Sequence, residues 1–208
     1  MYEVEAFRED RVEVMHALIK AHPLATLVTH TAQGLDANHI PLLIDPEPTP
    51  RGTLLGHVAR SNPVWHTWGG GAEVLAIFQG PQGYISPSWY PSKRDTGKVV
   101  PTWNYAVVHA HGIPVVHEDA EWLRKLVTRL TESQESQREQ PWQVTDAPHD
   151  YINTMLKGIV GLEITVSRLQ GKWKMSQNRL PQDREGVVKG LETRGDETSL
   201  AMLQVLRR

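Results

Sequence analysis

Cysteine is absent from this 208-residue chain. Its absence excludes disulfides, thiol catalysis and cysteine-held metals, and fits a cytoplasmic location. Excess charge is missing as well. The 22 Lys and Arg stand against 24 Asp and Glu, leaving a formal net charge of -2. Without a positive field, composition gives non-specific nucleic-acid binding no support, and direct DNA binding is not expected. No run approaches the roughly 18 apolar residues of a membrane span, so no membrane partner is expected. The acidic start, MYEVEAFRED, is neither a signal nor a transit peptide. Also lacking are a nucleophile elbow, a P-loop, a dinucleotide glycine fingerprint and an evident acid/base carboxylate pair. What remains is a soluble chain, 39% hydrophobic, with room for a real core.

The apolar pattern orders that core. Asp10 and Glu13 suggest a helix start, with Val14, Met15, Leu18 and Ile19 on one face and a stop at Pro23. The β-branched LATLVTH (24–30), a TAQG turn and LDANHIPLLID (35–45) predict a strand pair. Further strands are expected at 53–59, 72–78, 82–86, 103–112 and 113–118, the last two joined near Gly112. The first long helix follows Asp119, a second lies around 150–159, and strand character returns at 159–169. The tail from Pro181 is helical in propensity and broken near Gly195. Strand follows strand without regular helix alternation, which favours a mainly antiparallel β-barrel with peripheral helices. The expected division is a barrel domain over 1–180 and a helical arm over 181–208.

Four stretches could carry chemistry. In GHVARSNPVW (56–65) a strand ends in Arg60, Ser61 and Asn62. Arginine can grip a phosphate with forked, charge-assisted hydrogen bonds, and Asn62-Pro63 can open a helix. Equally, Asn62 merely caps and Arg60 is solvated. In SPSWYPSK (86–93), Ser88 and Lys93 offer donors and Trp89 a flat face; the plain alternative is a surface loop whose aromatics close the barrel end. In TWNYAVVHAHG, Trp103 and Asn104 precede His109 and His111, which share one strand face. Two histidines lack a third ligand, so they are read as a polar pair and no metal is expected. GKWKMSQNR ends in Ser176, Gln177 and Asn178, a polar run able to close on a ligand or simply to turn. Rigid aromatic loops beside a lysine suggest a pocket for a flat, phosphorylated ligand.

In order and spacing, HPLATLVT, NHIPLLID, GHVARSNPVW, YISPSWYPSK, VVPTWNYAVVHAHG, DAPHDYI and GKWKMSQNR resemble the signature blocks of the PaiB family, from about residue 1 to about 190. The resemblance implies an FMN-binding split β-barrel, the fold of pyridoxamine-phosphate oxidases and flavin reductases, built as a homodimer with the flavin at the subunit interface. It implies a negative transcriptional regulator; the alternative is an FMN-dependent oxidoreductase acting on a small substrate. The family's phosphate anchor falls on Arg60 and Ser61, with Asn62 in support. The wider flavin set is His57, Val58, Ala59, Ser88, Trp89, Lys93, Trp103, Asn104, Ser176, Gln177 and Asn178.

Overall fold

The computed structural model describes residues 1–207 apart from Gly69; Arg208, the last residue of the expected arm, lies outside the described residues. The chain forms an eight-stranded sheet with flanking helices, a mixed architecture in which strands dominate the centre. In chain order the elements are β1 (Arg8–Glu9), α1 (Val12–Ala21), β2 (Leu24–Thr31), β3 (Gly34–Pro41), β4 (Leu43–Asp45) and β5 (Thr53–Ala59). Then come β6 (Val74–Ile85), α2 (Ser92–Thr96), β7 (Thr102–His117), α3 (Ala120–Glu135), α4 (His149–Lys157), β8 (Ile159–Lys174), α5 (Pro181–Arg194) and α6 (Glu197–Leu206). Two compact units share these elements. One is built from residues 1–18, 79–108 and those from Gln170 onward; the other from 19–78 and 109–169.

The strand order is β3-β2-β6-β7-β8-β5-β4, and β6, β7 and β8 each give residues to both units. Because β3 and β4 lie at opposite ends of that order yet are separated in the chain by Leu42 alone, the sheet must curl round on itself. Gly56 on β5 shows how tightly it closes. A Cβ there would stand 2.9 Å from the Pro41 carbonyl and 2.5 Å from the Leu42 side chain. Alternation does the rest. On β2, Ala25 and Leu27 are buried while Leu24, Thr26 and Val28 turn outward, in antiparallel register with β3 (Thr26 opposite His39) and β6 (Thr26 opposite Ile77). A satellite core of Leu123, Val144, Ile152 and Leu156 holds α3 to α4. The Asp119 side chain caps α3 by accepting from the Trp122 amide at 2.8 Å.

The first unit pairs β1 with the end of β8, Arg8 opposite Lys172. Its own cluster joins Ile85 and Tyr90 to Val187, Leu191, Met202 and Leu203, so both tail helices bury apolar residues there.

Two glycine-containing stretches differ from expectation. The segments at 72–78 and 82–86 are one strand, β6, and those at 103–112 and 113–118 are one strand, β7. Gly112 is not a joint. Its absent Cβ would meet the Thr165 carbonyl at 2.3 Å, so the glycine permits a close approach of backbone to backbone. The reverse holds at 35–45, where one expected strand becomes β3 and β4.

Candidate functional site

In the second unit, β5 pairs antiparallel with β8 from Thr53 opposite Thr165 to Ala59 opposite Ile159. His57 and Ala59 therefore point away from the buried Val58. The chain then turns sharply, with the Asn62 amide donating to Ala59 O at 2.9 Å. Asn62 Oδ1 accepts from the Val64 amide at 3.0 Å, capping the 3-10 helix at Pro63–Gly70, and its Nδ2 donates to Asn38 Oδ1 at 2.8 Å. Arg60 is held by three contacts. Its Nε donates to Lys157 O at 2.9 Å, Nη2 to Ile159 O at 3.2 Å, and Nη1 pairs with Glu118 Oε2 at 2.5 Å. A guanidinium has five N–H groups, so two stay open to an acceptor. Ser61 is exposed and adds a hydroxyl.

His57 also forms part of the wall of a cavity of about 980 Å3. The other walls come from the end of α1, from Leu24 on β2, from Pro41 to Ile44, and from Arg129 to Glu135 on α3, with Trp142 beyond. Burial pushes the His57 imidazole below its ordinary pKa, and its Nδ1 is sealed from water with no hydrogen-bond partner. The ring is therefore neutral near pH 7.

The remaining predicted site residues belong to the first unit. Ser86 Oγ accepts from the Ser88 amide at 3.2 Å, and Lys93 Nζ reaches Ser88 Oγ at 3.4 Å. Trp89 lies on α5 where Gly186 and Gly190 leave a bare step, and the Arg194 guanidinium sits 5.5 Å from its ring centre. Ser92 ties the loop to the same helix, its Oγ donating to Asp183 Oδ2 at 2.7 Å. Trp103 is exposed and donates to Gln82 Oε1 at 3.1 Å. Asn104, fully buried, donates to Ser176 Oγ at 3.0 Å. Ser176 has φ +63, the left-handed conformation that a residue with a side chain rarely adopts. Gln177 folds back on its own turn, accepting from the Met175 amide at 2.6 Å and donating to Trp173 O. Asn178 is exposed. The structure thus groups His57 to Asn62 in one unit, and Ser88, Trp89, Lys93, Trp103, Asn104 and Ser176 to Asn178 in the other.

His111 Nδ1 lies 3.0 Å from Arg168 Nη2 and 3.4 Å from Glu73 Oε2. Burial, with help from the nearby Arg168 and His111 charges, drives the His109 imidazole down from 6.5 to about 4. A histidine depressed in the folded state takes up its proton first in the unfolded chain. Its contribution is therefore intact above pH 6.5 and is lost as the pH falls from 6.5 towards 4. Screening by solvent trims the effect to about 1–2 kcal/mol. Urea denaturation between pH 7 and 4 should show a shallower acid slope for His109→Gln than for the parent. Parallel slopes would reject the assignment.

The cavity-lining residues on α3, together with Lys20 and Trp142, were invisible to sequence reasoning, because nothing local marks them. The Gly186/Gly190 step was detectable: two glycines at i and i+4 in a helix announce a close neighbour.

The family described as “Putative FMN-binding domain” matches residues 1–168. The chain is 34% identical over 242 residues to an uncharacterised protein of Emericella nidulans, spanning 100% of this chain and 96% of that one. It is 33% identical over 207 residues to the Protease synthase and sporulation protein PAI 2 of Bacillus subtilis, spanning 99% and 96%. Among solved structures, the flavocytochrome Anf3 of Azotobacter vinelandii superposes with a TM-score of 0.59 at 8% identity, covering 83% of this chain and 72% of that one. That likeness establishes the fold, the split barrel with flanking helices. With the family match running through β1 to β8 as far as residue 168, the chain belongs to the “Putative FMN-binding domain” family.

Proposed function

We propose that the protein is an FMN-dependent oxidoreductase of the split-barrel type, acting on a small substrate. The observation that carries this reading is the pairing, on one strand end, of an anion-competent turn with a roomy cavity. Arg60 and Ser61 follow β5 at once, and His57 on the same strand walls the cavity. The turn after β5 suits the cofactor's phosphate. Arg60, its charge shared with Glu118, keeps two N–H groups in a fixed orientation, and Ser61 adds its hydroxyl; a phosphate role is proposed separately for Lys93, which reaches Ser88 in the first unit. Bound FMN would supply two-electron redox chemistry. The protein's part is to hold the phosphate, present a neutral His57 ring that neither donates nor takes charge near pH 7, and keep water from the apolar wall.

A homodimer belongs to the proposal. The outward face of β7 leaves Ile113 and Val115 exposed, apolar surface that a two-fold partner would cover. Regulation is the second reading, favoured by the name of the Bacillus relative, which ties that protein to protease synthesis and sporulation. Direct DNA contact gains nothing from the tail, since Met202 and Leu203 of α6 are buried in the first unit's core. No helix among the described residues is long and apolar enough to cross a membrane.

FMN titration of the purified protein should quench flavin fluorescence saturably. Arg60→Ala and Lys93→Ala should each weaken binding by about tenfold, the loss of one charge-assisted contact. Light scattering should report twice the 23.5 kDa chain mass. Unfolding midpoints control for the three Arg60 contacts. If both variants bind like the parent, the phosphate assignment fails. If bound FMN is never turned over with a nicotinamide nucleotide and any acceptor, regulation displaces catalysis.

A further inference from the structure

We infer that the 980 Å3 cavity of the second unit is a binding site for an aromatic monocarboxylate. The inference rests on the oxidoreductase reading only in calling such a molecule a substrate; the site itself needs no flavin. Arg60, Ser61 and Asn62 line no part of this cavity, so the phosphate proposed for that turn and the carboxylate proposed here have separate anchors.

The lining is apolar in bulk. Leu24, Leu42, Ile44, Leu130 and Trp142 are among its walls, and two of these are left open to water, Leu24 at 60% and Trp142 at 46% exposure. Large apolar side chains held half in solvent around a concavity mark a place where a flat apolar body gains by displacing water. The charges then define its head group. Three ionised side chains line the cavity: Lys20, Arg129 and Glu135. Arg129 is neutralised by Asp45 at 2.8 Å, and Glu135 by Arg138 at 3.1 Å. Lys20, in the last turn of α1, has no ion pair among the described residues. One unneutralised positive charge at the rim matches one negative charge on the ligand. A phosphate dianion would bring a second charge with only Asp45 and Glu135 nearby to meet it. His57, kept neutral by burial, adds a polar edge to the wall without adding charge.

Calorimetric titration of the full-length protein with 2-naphthoate tests the site, with uncharged 2-naphthylmethanol as the matched control. Naphthoate should bind saturably and more tightly than the alcohol. Lys20→Gln should weaken naphthoate about fivefold, the size of a partly exposed ion pair, and leave the alcohol unchanged. Leu24→Glu, at an exposed position that folding tolerates, should weaken both. Equal affinity for acid and alcohol, no response to Lys20→Gln, or no saturation would each overturn the proposal. The titrations are run on FMN-free and FMN-supplemented protein. Unchanged naphthoate binding with FMN present supports two sites, and mutual exclusion overturns the proposal by giving the cavity to the flavin. Naphthoate binding without any FMN binding leaves this site standing and removes the flavin reading alone.

Discussion

Gly190→Ala should lower stability by about 2–3 kcal/mol, although alanine is the better helix former. Helix propensity alone predicts a gain of about 1 kcal/mol for Gly→Ala in a helix interior. The opposing term is larger. A Cβ on Gly190 would stand 2.2 Å from Trp89 Cδ2, and one on Gly186 only 1.9 Å from the Trp89 carbonyl oxygen. Atoms do not approach so closely, and neither obstacle is a flexible side-chain end. Overpacking of this kind costs roughly 1–3 kcal/mol and occasionally more. α5 would have to back away, loosening Val187 and Leu191 from Ile85 and Tyr90. Gly186→Ala should be at least as damaging, because its obstacle is backbone. Urea midpoints of Gly190→Ala, Trp89→Ala and the double variant decide the matter. Truncating Trp89 should recover much of the Gly190→Ala loss. A stabilised Gly190→Ala would mean that the indole does not rest on α5.

Asn104→Ala should cost about 2–4 kcal/mol. The amide is fully buried, and its partner is the Ser176 hydroxyl at 3.0 Å, itself buried. Truncation empties part of a packed site and strands a polar atom, worth about 1–3 kcal/mol for the unsatisfied group alone. Ser176→Gly removes the same hydrogen bond from the other side and should be milder. Glycine relieves the penalty of about 1–2 kcal/mol for a side chain at positive φ, which offsets much of the lost hydroxyl contact. Thermal or urea unfolding of the two variants gives the ranking. A Ser176→Gly loss as large as that of Asn104→Ala would show that the left-handed serine carries no strain. Both residues belong to the flavin set that the family resemblance implies, so FMN affinity is measured for Asn104→Ala beside the milder variant.

Local pattern foretold some of this and missed the rest for definable reasons. β5 could be delimited residue by residue, because TLLGHVA is bounded by Gly52 and the polar Arg60 turn. α3 was legible as a helix after Asp119, with Leu123 and Leu126 on one face. The unity of β7 was not, since a glycine reads as a turn until its neighbour across the sheet is known. The structure binds Arg60 to Lys157 and Ile159, 97 and 99 residues away, and no local signal carries such a pairing. Likewise Asp183 was an unremarkable helix residue in the sequence. Its buried carboxylate proves to hold the Ser92 end of the aromatic loop.

The way the two units divide the chain sets an order for synthesis. Every residue of the second unit has left the ribosome once Leu169 has, so it can pack while translation continues. The first unit cannot do so. Its opening residues and the stretch from Gln79 to Val108 must wait for everything after Gln170, including the helices that cover Trp89 and Tyr90. A nascent chain halted between those points would leave the aromatic loop without the cover of α5 and α6, and that loop is the surface a chaperone would meet.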